Sequence, residues 1–126
     1  LGVIPYNPLA GGLLTGKHNL AQGPTAGTRF TLGAAAERYQ ERYWHDREFN
    51  TVEELRTVAD LAGLSLTTLA VAWVLANPII TAPIIGASRP EQLADTLKAV
   101  EIKLDDNLKQ KLDDITAEYR RGDSVR

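Results

Sequence analysis

A chain of 126 residues is enough for one modest domain, and 44% hydrophobic with 24% charged residues make that domain globular rather than disordered. The formal charge of −2 gives no electrostatic case for a nucleic acid or an anionic membrane as partner. With no cysteine, disulfides are excluded and a reducing, cytoplasmic location is expected; no run of about 20 apolar residues is present to span a bilayer.

In chain order, Gly2 to Tyr6 reads as a short strand, weakened by Pro5, which cannot donate to a ladder, and ended by Asn7-Pro8. Leu9 to Lys17 is a glycine-spaced apolar segment. Residues 18–33 are polar and rich in Gly, Pro and Thr, and predict a long loop carrying Arg29; such loops in compact domains are usually functional or mobile. Ala34 to Glu48 predicts a helix. Thr51-Val52-Glu53-Glu54 has capping-box spacing, with Leu55, Val58, Ala59 and Ala62 following at helical intervals and Gly63 as the stop. Ser65 caps the next predicted helix, Leu66 to Ala76, which is apolar nearly all round and should be buried on most of its surface, with Trp73 in the core.

Asn77-Pro78 ends that helix. Ile79 to Ile85 then has the length and β-branching of a strand buried on both faces. A helix from about Pro90 to Val100 follows, started either by Ser88 as N-cap with Glu91 three residues on, or by Pro90 at the first helical position. The last helix starts near Asp105 or Asp106, turns Leu108, Leu112 and Ile115 to one side, and fades into the charged tail Glu118 to Arg126.

A strand followed by helices and another strand predicts a parallel sheet, yet two strands leave both edges of such a sheet open. The chain also opens at Leu1 inside an apolar run and contains no methionine. Both features predict a fragment of a larger barrel or open sheet, which associates with itself or with a missing N-terminal part.

The turn Gly86-Ala87-Ser88-Arg89-Pro90 joins a strand to a helix N-terminus. Free amides, the helix dipole and the Arg89 charge make it a place for an anion; the alternative is an ordinary turn that binds nothing. Gly11-x-x-x-x-Gly16-Lys17 nearly spells a nucleotide-binding P-loop. His18 stands where Ser or Thr should hold magnesium, and Asn7-Pro8 separates the strand from the glycines, so a P-loop is disfavoured against a plain tight turn. His18 and His45 read as solvated loop residues.

The segment from Pro5 to Lys17 (Pro-Tyr-Asn-Pro-Leu-Ala-Gly-Gly-Leu-Leu-Thr-Gly-Lys), the helix Ala70 to Leu75, and Ile85 to Leu93 (Ile-Gly-Ala-Ser-Arg-Pro-Glu-Gln-Leu) together resemble the C-terminal third of an aldo-keto reductase, of the bacterial and potassium-channel-β-subunit-like branch. The resemblance covers essentially the whole chain. It implies an α/β fold in which residues 1–126 are part of a (β/α)8 TIM barrel, supplying strands 7 and 8, their helices and a C-terminal accessory helix. It also implies a site at the carboxyl ends of those strands.

In that family an aromatic residue stacks on the nicotinamide of NADPH, and Tyr6 matches it. The loop that wraps the pyrophosphate maps onto Asn7, Pro8, Leu9, Ala10, Gly11 and Lys17, and Arg29 onto the arginine that closes over the cofactor. Gly86, Ser88, Arg89 and Gln92 match the group around the adenosine 2′-phosphate. Asn7 replaces the usual Ser, and Asp95-Thr96 the usual Glu-Asn pair near the adenine. The family's catalytic Asp, Tyr, Lys and His lie on earlier strands, and none of those motifs occurs here. The resemblance therefore implies an NADP-dependent reductase of small-molecule aldehydes or ketones as the whole protein, with no metal, and no catalysis by this chain alone. A redox-silent cofactor-binding module that serves a partner protein is the second reading. Tyr43 and Trp44 either rim the substrate pocket or pack.

Overall fold

The computed structural model describes residues 1–121; the end of the charged tail, Gly122 to Arg126, lies outside the described residues. Among the described residues there are five α-helices: α1 Ala36–Tyr43, α2 Asp46–Ala62, α3 Leu66–Leu75, α4 Leu93–Lys98 and α5 Asp106–Ile115. Shorter 3-10 turns occupy Ala10–Thr15, Pro90–Gln92, Ala99–Glu101 and Ala117–Arg121.

Where local chemistry decides, the sequence expectations hold. Ser65 caps α3, its hydroxyl accepting from the Thr68 amide at 3.1 Å, and Asp105 caps α5, Oδ1 accepting from the Leu108 amide at 2.7 Å. Gly63 ends α2 in the left-handed region at φ 68, where a Cβ would be strained. Pro90 takes the first position of its turn behind an extended Arg89, so the second of the two expected starts is the one used.

Three expectations about the helices fail. The helix expected over Ala34 to Glu48 is broken at Trp44 and His45, which leave helical geometry with ψ 68 and ψ 156. The break turns the Trp44 indole inward, edge-on to Phe30 and Phe49 at 4.9 Å each. Helix α2 therefore begins at Asp46, with Asp46 and Glu48 in its first turn where the helix dipole favours acids. Thr51 is consequently no cap. It lies inside α2, its hydroxyl donating to the Arg47 carbonyl at 3.1 Å and meeting the Tyr119 hydroxyl at 2.7 Å. Finally, Trp73 is not core. It is 38% exposed at the seam of α3 and α5, because its indole N–H takes a partner there, Asp113 Oδ1, at 2.7 Å. The same carboxylate accepts from Lys109 at 2.7 Å, and these two donors, lysine first, hold it below the usual carboxylate range.

The core joins α2, α3 and α5 through Val52, Leu55, Leu66, Leu69 and Leu112, with Leu13 and Phe30 entering from the N-terminal loops. Leu108 and Ile115 pack against it, as their spacing predicts. A smaller cluster of Val71, Ala72 and Ala99 ties α3 to the turn after α4. Buried Thr68 adds a polar tie, its hydroxyl donating to the Asp95 carbonyl of α4 at 2.8 Å.

The two expected strands meet in parallel, but among the described residues they form only one isolated bridge, Tyr6 to Ile84. Thr81 N–H donates to the Val3 carbonyl at 2.8 Å, Ile84 N–H to the Pro5 carbonyl at 2.7 Å, and Val3 N–H to Thr81 Oγ1 at 3.0 Å. Pro5 and Pro83 each remove a donor, and no further strand among the described residues flanks the pair, so Ile4, Tyr6, Ile79 and Ile84 remain exposed. Among the described residues no single helix is long and apolar enough to cross a membrane; α2 and α3, which reach that length together, bend by 91°.

Candidate functional site

The Tyr6–Ile84 bridge sets the site. Two parallel segments paired at these residues end side by side, so the loop after Tyr6 and the turn after Ile85 leave from the same end.

The first loop is a chain of left-handed residues: Asn7 at φ 60, Ala10 at φ 49, Gly11 at φ 69 and Gly12 at φ 100. Two of these are not glycine, and backbone strain of this kind gathers where a ligand or a tight turn demands it. Asn7 meets the demand with its side chain: Oδ1 accepts from the Gly11 amide at 2.7 Å, and Nδ2 approaches the Tyr43 hydroxyl at 3.5 Å. Gly11 has a second constraint, since a methyl there would sit 2.7 Å from the Tyr39 ring. The Ala10 amide donates to the Asn7 carbonyl, and those of Gly12 and Leu14 both donate to the Leu9 carbonyl, at 2.9 to 3.1 Å. Thr15 Oγ1 donates to the Gly12 carbonyl at 2.7 Å. The amides of Ala10, Gly11, Gly12 and Leu14 are thus spent inside the turn. Buried Leu13 pins the segment to the core, and exposed Lys17 lies alongside Gly12.

Residues 18–33 form the expected loop, mostly exposed but anchored by the buried His18 and Phe30. Thr28 and Thr31 each donate a hydroxyl to the Thr25 carbonyl, at 2.7 and 2.9 Å, and fold it back on itself. Phe30 is fully buried, with its carbonyl accepting from Gln40 Nε2 at 2.6 Å. This places Arg29 at the surface next to an anchored residue. His18, expected in solvent, is 8% exposed and packs edge-on against Phe30 at 4.9 Å and Trp44 at 5.5 Å. Neither of its ring nitrogens has a partner among the described residues. Burial, with the Lys17 charge second, pushes its pKa below the usual histidine value. His45 is exposed as expected, Nε2 sitting 2.6 Å from the Glu41 carbonyl.

At the second turn Gly86, Ser88, Arg89 and Gln92 are all exposed. The amide and hydroxyl of Ser88 donate to Gln92 Oε1 at 2.9 and 3.1 Å, which closes the turn and leaves the Arg89 guanidinium at the rim. The Asp95 side chain is exposed while its carbonyl is held by Thr68. Thr96 differs from the rest of the set. It is buried, with its hydroxyl 3.5 Å from the Gln92 carbonyl, and so faces the protein. Tyr6, 71% exposed, presents its ring at the end of the first segment.

A cavity of about 690 Å³ lies between α2, α3 and α5, reaching the underside of Pro8 and Ala10 but not the second turn. Its lining is mostly apolar, and buried Glu48 is one of its polar groups. Arg47 Nη2 donates to Glu48 Oε1 at 2.5 Å, while Oε2 has no partner among the described residues. This cavity belongs to the helix layer rather than to the loops. Sequence reasoning missed Arg56, whose Nη2 donates to the Gly16 carbonyl at 2.7 Å, and Tyr39, which walls Gly11. Arg56 could be seen only as half of a Glu53–Arg56 pair at helical spacing, which says nothing of a loop.

The profile of the Aldo/keto reductase family matches residues 1–117, and the chain belongs to that family. YrpG of Bacillus subtilis, described as an uncharacterized oxidoreductase, is 45% identical over 91% of the chain. A protein of Schizosaccharomyces pombe provisionally assigned as a voltage-gated potassium channel subunit beta is 35% identical over 90% of it. The chain spans 32% and 33% of these two relatives. The structure of glycerol dehydrogenase AKR11B4 from Gluconobacter oxydans superimposes with a TM-score of 0.74 at 25% identity, covering 99% of this chain and 36% of that one. The fold is accordingly part of a TIM barrel, its sheet reduced here to a single bridge.

Proposed function

We propose that this chain is the NADPH-binding portion of an aldo-keto reductase that reduces aldehydes or ketones to alcohols, and that it contributes the last strands of a single barrel. The observation that carries the reading is the Tyr6–Ile84 bridge, which sets the strained Asn7–Gly12 loop and the Arg89 turn at one end of the pair. In a barrel of parallel strands the carboxyl ends carry the site. Tyr6 then stacks on the nicotinamide, the loop through Lys17 follows the pyrophosphate with Arg29 closing over it, and Arg89 with Ser88 and Gln92 receives the 2′-phosphate. Asp95 lies towards the adenine. Thr96, facing inward, supports that wall rather than touching the base. Asn7 braces its own loop through Gly11, a structural task in place of a phosphate contact.

A tyrosine outside this chain donates the proton, and residues 1–126 supply cofactor geometry alone. The location proposed is cytoplasmic. The relative assigned as a channel subunit favours a second reading, a redox-silent module of the same fold that holds the cofactor and serves a partner protein. An intact Asp-Tyr-Lys-His set upstream selects the enzyme.

Fluorescence titration of the full-length protein tests the cofactor assignment. A charge-assisted contact from Arg89 predicts roughly a tenfold to hundredfold preference for NADPH over NADH, lost in Arg89→Ala through weaker NADPH binding. Equal affinity for both nucleotides in the unaltered protein refutes it.

A further inference from the structure

We infer that Arg56 is a positioning residue for the glycine loop, holding the Gly16 carbonyl against α2 so that the Lys17 amide and side chain are aimed at the cofactor's pyrophosphate. The inference rests on the cofactor reading above. Arg56 lies one turn after Glu53 on α2, and its guanidinium does two things at once. Nε and Nη2 donate to the Glu53 carboxylate at 3.3 to 3.4 Å, and Nη2 donates to the Gly16 carbonyl at 2.7 Å. A planar fork can serve a carboxylate and a carbonyl together; an ammonium on a flexible stem holds no such fixed geometry.

Gly16 makes the approach possible. It is left-handed at φ 74, and a Cβ there would lie 2.8 Å from Nη2. Because the peptide unit is planar and trans, a carbonyl pinned toward α2 turns the following N–H the other way. That N–H belongs to Lys17, and its one hydrogen-bond contact among the described residues is a long 3.4 Å approach to Thr15 Oγ1. The clamp thus keeps a carbonyl dipole away from an incoming phosphate and leaves an amide and an ammonium on the side it approaches.

The test compares two nucleotides on the full-length protein and its Arg56→Met and Arg56→Lys variants. NADPH engages both loops, whereas adenosine 2′-monophosphate has no pyrophosphate and engages only the Arg89 turn. Arg56→Met should weaken NADPH about tenfold and leave adenosine 2′-monophosphate within about twofold, with Arg56→Lys in between. Hydrogen exchange at the Gly16 amide, which donates to the Leu13 carbonyl at 3.1 Å, should quicken in the same order. Equal weakening of both nucleotides overturns the inference, since it marks a general disturbance, and unchanged NADPH affinity overturns it as well. An unaltered protein that binds no NADPH refutes the cofactor reading and takes the inference with it, a result distinct from either variant outcome.

Discussion

His18 gives the most informative perturbation. Its imidazole is buried between Phe30 and Trp44 with both nitrogens unpartnered among the described residues. His18→Leu nearly conserves volume, so near pH 8 two effects compete. Removing unsatisfied nitrogens gains about 1–3 kcal/mol, and losing two edge-on ring contacts costs about 0.5–1.5 kcal/mol each. The variant should therefore lie within about 2 kcal/mol of the parent. The pH dependence is the sharper test. The folded pKa is depressed, so below the unfolded value of 6.5 the unfolded state binds more protons than the folded state. Stability contributed by the neutral ring is present above that pH and is lost as pH falls toward the folded pKa, by up to about 1.4 kcal/mol per unit. Urea denaturation of both proteins from pH 8 to pH 5, followed by circular dichroism, should show the parent losing ground to the variant below about pH 6.5. Parallel stability curves would refute the buried, neutral assignment.

Phe30→Ala should cost about 3–5 kcal/mol in the same assay, because the ring is fully buried and fixes the loop carrying Arg29; a loss below about 1 kcal/mol would show the loop to be independent of the core. The isolated 126-residue chain should oxidise no NADPH in the presence of aldehydes, and turnover abolished by a Lys17 or His45 substitution would contradict this. The isolated chain should also self-associate through exposed Ile4, Tyr6, Ile79 and Ile84, which sedimentation can follow; a monomer at high concentration with a sharp cooperative melt would sink the open-edge argument.

Caps and stops were legible because they depend on neighbours in sequence. Ser65, Asp105, Gly63 and Pro90 act within four residues of themselves. The two loop motifs were legible for the same reason, as glycine and proline positions fix their backbones. The break at Trp44-His45 was not, since helix propensity runs through it and only the packing of Trp44 on Phe30 and Phe49 decides against it. His18 and Trp73 were misplaced in opposite senses by polarity: a ring in a polar stretch was drawn under Phe30, and an indole in an apolar helix found a carboxylate. The Arg56 contact joins residues forty apart and has no sequence signature.

The parallel pairing has a kinetic side. Val3 and Thr81, like Tyr6 and Ile84, are 78 positions apart. Closing a flexible loop of that length costs about 4 kcal/mol of chain entropy, while two backbone hydrogen bonds and one to the Thr81 hydroxyl return about 3 kcal/mol. The ladder cannot come first. Contacts among α2, α3 and α5 must shorten the excursion before the ends can register, which places the pairing late on the folding path. Substitutions in the ladder should therefore speed unfolding and leave the folding rate nearly unchanged. The rung that aligns the two halves of the candidate site is then the last to form and the first to open.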